Sequence, residues 1–210
     1  MRRLARIGMA ALAASLLLAT AACASGNKAG DANGRKTIVL TLAGPDSGSG
    51  WGQMVLFANE VSSLSHGTIR IAVKENWRAR NPNQETDTIR DVRAGKADLG
   101  WVGAEAWDSL GVHNFDPLVA PFLIDSYPLE EEVFSLGMPQ RMLGGVRQAG
   151  VVGIGVLPGQ MQKVLGVRRR LLSPVNFHGM RFGVRGQIAA ETLRALGARP
   201  RQVSPRRPTG

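Results

Sequence analysis

Thr37-Ile38-Val39-Leu40-Thr41-Leu42-Ala43, a Gly/Ser loop over residues 44–52, Met54, Phe57, Ala58, Val61 and Leu64, then Gly67, then Thr68-Ile69-Arg70-Ile71-Ala72-Val73: this stretch decides the fold. The first run is apolar and β-rich. The stripe after it has the spacing of an amphipathic helix. Gly67 supplies the left-handed stop such a helix needs. In the last run Ile69, Ile71 and Val73 alternate with other residues, as in a half-buried strand. Strand, helix and strand in one short span is the unit from which parallel sheets are built.

The same logic continues downstream. Asn83 is placed to cap a helix over 84–94, with Ile89 and Val92 inward and Gly95 as its stop. Residues 97–102 read as a short strand, and 118–124 as an apolar stretch interrupted by Pro121. Pro128 and Glu130, Glu131 and Glu132 suit a helix N-terminus, by fixed φ and by the helix dipole. Leu129, Val133 and Leu136 give that helix its expected buried stripe. Pro139 opens another helix with Met142, Leu143 and Val146 on one face. Residues 151–157 read as a strand, as do Met180, Phe182 and Val184, and 188–196 as a helix ended by Gly197. The expected class is α/β with a largely parallel sheet.

Ligands of such sheets bind beyond the carboxyl ends of the strands. That rule selects four candidate segments: residues 46–51, 75–77, 103–107 and the segment after Val184. Trp51, Trp77 and Trp107 fall in these loops and can stack on a ligand, whereas Trp101 lies within a strand and is expected in the core. Asp46, Glu75 and Glu105 can accept hydrogen bonds from ligand hydroxyls. The 44–52 loop precedes a helix N-terminus but lacks the Gly-Lys-Ser/Thr ending of a nucleotide-binding loop.

Upstream of the fold the sequence has another purpose. Arg2, Arg3 and Arg6 precede an apolar run over 7–18, too short to span a bilayer as a helix. Ala19-Thr20-Ala21-Ala22 leads to Cys23, the only cysteine. This resembles a bacterial lipobox, with Thr20 in place of the usual leucine, and implies a signal peptide over 1–22 and lipid attachment at Cys23. A single cysteine forms neither an internal disulfide nor a cysteine metal cluster. Residues 23–35 are small and polar and read as a tether from the lipid bilayer.

Composition narrows the function. The formal charge is +10 from 26 basic and 16 acidic residues; three arginines leave with the signal, so the mature charge is +7. Of the basic residues 21 are Arg and 5 are Lys, a bias of residue choice, and the run Arg168-Arg169-Arg170 has no interleaved aromatic residue. No nucleic-acid partner is expected. His66, His113 and His178 are isolated, without metal-ligand spacing or a nucleophile partner, and no catalytic motif occurs. No enzymatic activity, metal or cofactor is expected.

From about residue 37 to 200 the chain resembles a TRAP-transporter solute-binding protein of the DctP type. Phe57-Ala58-Asn59-Glu60-Val61 leading to Gly67-Thr68-Ile69-Arg70-Ile71 is similar to that family's first helix and second strand. Ile89-Arg90-Asp91-Val92-Arg93-Ala94-Gly95-Lys96-Ala97-Asp98-Leu99-Gly100 is similar to its helix–Gly–x–x–Asp-Leu step. Residues 117–123 resemble its Leu-x-x-Pro-Phe-Leu segment. His178-Gly179-Met180-Arg181-Phe182 with Thr192-Leu193-Arg194-Ala195-Leu196-Gly197-Ala198 resembles its Leu-x-Gly-x-x-Ile-Arg … Ala-Leu-Gly-Ala signature.

The resemblance implies a periplasmic-binding-protein-like fold of two α/β lobes closing on a small molecule. It also implies an extracytoplasmic location and delivery of an organic acid to membrane permease subunits. A sensor lobe, another uptake system or a non-functional fragment are the alternatives. Lobe I is expected over 36–160, nearly complete, and lobe II begins over 161–198. Residues 199–210, rich in Arg and Pro, are expected to be a disordered tail, so the chain reads as C-terminally truncated, with the stripe Phe182, Leu193 and Leu196 left uncovered. The arginine with which the family grips a carboxylate falls at Gly183 in this chain. Arg181 and Arg185 flank it with the same strand parity and inherit the role as candidates. A second family arginine falls at Gln162, which offers hydrogen bonds without charge.

Overall fold

The computed structural model describes residues 36–45, 50–79, 81, 83–161, 163–167 and 170–203. Cys23 with the leader and tether, Asp46, Gln162, Arg168, Arg169 and the last seven residues lie outside the described residues.

The apolar run beginning at Ile38 forms β1 (Ile38–Ala43), followed by α1 (Trp51–Leu64) and β2 (Ile69–Lys74). β2 lies parallel to β1, in register from Ile38 opposite Ile69 to Ala43 opposite Lys74. β3 (Leu99–Gly100) adds in parallel on the other side, so the order is β2-β1-β3. β1 is central, and its end is sealed: Leu42 and Ala43 are buried. α1 closes one face through Met54, fully buried, which sits where a Cβ on Gly44 would lie 2.5 Å from its Sδ. Gly67 ends the turn after α1 with φ 78°, a conformation costly for other residues.

α2 (Gln84–Arg93) covers β3, with Ile89 buried as its spacing predicts. Asn83 precedes α2 but makes no side-chain cap bond. The connection from β2 to α2 is fastened by Asp91, which is buried. Its carboxylate accepts from the Trp77 indole N–H at 3.0 Å and from Arg78 Nε and Nη2 at 2.7 and 2.8 Å, and Lys96 Nζ lies 3.2 Å away.

The chain then winds through short turns and helices: 3₁₀ turns at Ala104–Ala106 and Asp108–Leu110, α3 (Asp116–Val119), α4 (Tyr127–Ser135) and α5 (Met138–Met142), continued as 3₁₀ over Leu143–Ala149. Val112, Phe115 and Val146 are the buried anchors here. α4 buries no residue fully, and Leu136 is 58% exposed, so the stripe expected on that helix is only partly covered.

Three expectations are corrected. Residues 151–157 form no strand, and Val152, Ile154 and Leu157 are exposed. An apolar run specifies extended backbone, but a strand also needs a neighbour for its N–H and C=O groups. Second, Arg199 does not open a structureless tail. Arg199–Gln202 is β5, parallel to β4 (Arg181–Val184) from Arg181 opposite Arg199 to Val184 opposite Gln202. The pairing runs through the backbone: Arg199 N donates to Met180 O at 2.7 Å and Val203 N to Val184 O at 3.0 Å. Pro200 is one residue out of phase with these donors, so its missing N–H faces away from β4. Third, Phe182 and Leu193 are not bare. With Phe177, Val184, Ala190 and Ala198 they form a buried cluster, and Leu196 packs against it. α6 (Gln187–Ala195) joins β4 to β5 over this cluster, repeating the β1–α1–β2 plan of the first unit.

Candidate functional site

Parallel sheets leave their helix N-termini and strand carboxyl ends on one side, and there the loops after β1, β2, β3 and β4 lie. Trp77 N donates to Gly44 O at 3.1 Å and Asn76 N to Pro45 O at 2.9 Å, tying the first two loops together. Trp101 N donates to Ala43 O at 2.9 Å, and its indole lies over Gly50, where a Cβ would come 3.1 Å from Nε1. Trp101 is half-buried there rather than enclosed in the core.

Beyond β3 two carboxylates converge on Gly103. Glu85, in the first turn of α2, accepts from the Gly103 N–H at 2.9 Å. A Cβ on Gly103 would lie 2.5 Å from Glu105 Oε2 and 3.1 Å from Glu85 Oε1, so the absent side chain is what admits both carboxyls. Burial first, then Glu105, pushes the Glu85 carboxyl above its ordinary value, while the Gly103 N–H and Arg185 act against the shift.

Arg185 reaches this pair from the end of β4. Phe182 and Val184 point into the core, so Arg181, Gly183 and Arg185 share the outward face. Arg185 stands at the carboxyl end, with Nη1 3.7 Å from Glu105 Oε1 and its side chain half-exposed. Arg181 stands at the opposite end of β4, away from the loops. Gly186 follows at φ 79°, with its would-be Cβ 3.4 Å from Glu105 Cβ. Asp108 then caps α6: its buried Oδ2 accepts from the Gln187 N–H at 2.6 Å. A carboxylate at a helix N-terminus is stabilised by the dipole as well as by the hydrogen bond.

The other candidates divide. Glu75 is exposed on the 75–77 loop, and Trp51 begins α1 half-buried. The Trp77 N–H is committed to Asp91, and Trp107 packs on Phe115 with ring centroids 6.0 Å apart. Sequence reasoning passed over Glu85 and Asp108. For Glu85 the available signal was its place in the first turn of a helix that starts beside strand carboxyl ends. His113, read as isolated, has Nδ1 3.3 Å from a carboxylate oxygen of each of Asp108 and Asp116; the spacing Asp108-x₄-His113-x₂-Asp116 was the signal for that cluster. What the whole arrangement can do chemically is clear: an arginine and two carboxyls, beside backbone N–H groups, offer one cationic anchor and several acceptors to a small polar molecule.

Comparison with known proteins places the chain in a family. Residues 44–207 match the family model for bacterial extracellular solute-binding proteins, family 7, the DctP model. Among solved structures, the sugar acid binding protein of Advenella mimigardefordensis in complex with galactonate is 21% identical. It has a TM-score of 0.64 over 81% of this chain and 55% of that one. A TRAP periplasmic solute-binding protein of Sulfitobacter sp. with bound β-D-galacturonate is 16% identical, TM-score 0.63, over 80% and 55%. One from Sulfurospirillum deleyianum with bound succinate is 18% identical, TM-score 0.61, over 79% and 53%. The chain thus spans about half the length of these structures. No functionally curated protein matches it. No helix among the described residues is long and apolar enough to cross a membrane.

Proposed function

Because the chain belongs to family 7 of the bacterial extracellular solute-binding proteins, we propose that it receives a small organic acid outside the cytoplasmic membrane and passes it to the permease subunits of a TRAP transporter. The family consists of solute receptors rather than enzymes, and we assign this chain no catalytic step. The observation that carries the reading is Arg185. It lies at the carboxyl end of β4, half-exposed, and 3.7 Å from Glu105, an ion pair longer than a charge-assisted hydrogen bond. A ligand carboxylate can therefore take a bidentate position on the guanidinium. Glu105 and the half-buried Glu85 are then placed to accept from hydroxyls of the same molecule. The neighbours with galactonate, galacturonate and succinate support an acid as the class. Cys23 is the proposed lipid anchor, keeping the receptor at the membrane.

Isothermal titration and thermal shift with galactonate, galacturonate and succinate test this. Saturation at a hundred times the dissociation constant adds about 2.7 kcal/mol to stability. Arg185→Ala is expected to weaken the acid that binds by about 2–5 kcal/mol, while Arg181→Ala leaves it unchanged. Binding of an acid with unaltered affinity in Arg185→Ala rejects the arginine's role; no response to any of the three acids rejects the substrate class.

A further inference from the structure

The segment after β3 holds a second constellation, beside the acid site. Asp108 opens a 3₁₀ turn, Gly111 reverses the chain at φ 75°, and Asp116 begins α3. Val112 and Phe115, exposed to only 1% and 3%, pin the backbone on either side of His113. The ring is thereby held between two carboxylates. Its Nδ1 lies 3.3 Å from Asp108 Oδ1 and 3.3 Å from Asp116 Oδ2, and the three donor atoms are all within 4.8 Å of one another.

These distances are informative. A charge-assisted N–H···O bond closes to about 2.7–2.9 Å, and a single N–H has one direction. Two equal and longer approaches, each within ion-pair range, also match the spacing of neighbouring ligands around a common centre. With metal–nitrogen and metal–oxygen distances of about 2.0–2.2 Å, adjacent ligands lie roughly 3.0–3.5 Å apart. Asp108 also has the support expected of a metal ligand. Its side chain is 4% exposed, and its other oxygen, Oδ2, is fixed by the Gln187 N–H. The opposite side is open: the His113 side chain is 59% exposed, which provides an entry path.

We propose that Asp108, His113 and Asp116 bind one divalent first-row transition cation. An imidazole with two carboxylates suits zinc, manganese or iron(II), whereas magnesium and calcium favour sets made of oxygen alone. Through Asp108 such an ion would fasten the 104–116 turns to the start of α6. The site owes nothing to the acid-binding reading and is tested without it.

The probe is the metal alone, on tag-free, chelator-stripped protein. Zinc titrated calorimetrically is expected to bind one per chain. His113→Ala and Asp116→Asn, both on the open side of the cluster, are each expected to weaken it at least about tenfold, and His66→Asn to leave it unchanged. In the unsubstituted protein, cobalt(II) is expected to shift the ring protons of His113 and not those of His66 or His178. Absence of one-to-one binding, full affinity in both His113→Ala and Asp116→Asn, or a cobalt shift centred on another histidine would overturn the proposal.

Discussion

Replacing Asp91 by Ala tests how the loop after β2 is held. The substitution removes the acceptor for the Trp77 indole and for two Arg78 N–H groups, and withdraws the counter-charge of Lys96. Arg78 and Lys96 are 42% and 59% exposed and can return to water. The cost is therefore smaller than for breaking a wholly buried pair. Losing hydrogen bonds to a charged acceptor costs about 1.5–3 kcal/mol, which for a chain of this size lowers the melting temperature by roughly 3–12 °C. Urea denaturation of both proteins at neutral pH measures it. The pH dependence supplies a second reading. Arg78 foremost, then Trp77 and Lys96, holds the Asp91 carboxyl far below its ordinary value of 3.8, against the opposing effect of burial. A carboxyl depressed on folding contributes stability above its unfolded value and loses it as pH falls towards its folded one. The gap between wild type and Asp91→Ala is thus expected to be constant near neutrality and to narrow below about pH 4. A gap under about 0.5 kcal/mol at neutral pH, or one that widens in acid, would refute the reasoning.

Two glycines should respond in opposite directions. Gly52 lies within α1 with nothing within 4 Å of a would-be Cβ, so Gly52→Ala is expected to stabilise by about 0.5–1 kcal/mol. Gly197 has φ 75° and a would-be Cβ 2.6 Å from His178 Nδ1, so Gly197→Ala is expected to destabilise by at least ~1 kcal/mol; denaturation curves that rank the two variants otherwise contradict the packing described. Cys23→Ser is expected to move the protein from the membrane to the soluble fraction; a wild-type N-terminus without acyl chains in a mass spectrum rules the anchor out.

The first βαβ unit was legible because each local signal agreed with its neighbours: the stripe from Met54, the left-handed stop at Gly67, and the alternation from Ile69. An apolar run reports a tendency to extend, not whether a partner strand exists, and so residues 151–157 were misread. Composition misled at Arg199–Gln202 for the opposite reason: backbone pairing with β4 is indifferent to arginine side chains and tolerates Pro200 at the outward phase. The same distinction applies at the site. Parity along β4 brought Arg181 and Arg185 forward from the sequence, because a strand's faces are fixed by counting. Glu85 and Asp108 are defined by partners 18 and 79 residues away, Gly103 and Gln187, and no local pattern encodes that meeting. His113 was called isolated for want of familiar spacing, although both its carboxylate neighbours lie within five residues.

Pro200 has a consequence for what the small β4–β5 sheet can become. A lone parallel pair has two rims along which another extended chain can be recruited, the usual route to association between copies. On the outer rim of β5 the proline offers no donor, so an incoming strand would find the ladder interrupted. Arg199 and Arg201, both exposed, would meet like charges if that strand were a second β5. Among the described residues, the rim of β4 is thereby the better-disposed edge for a further strand.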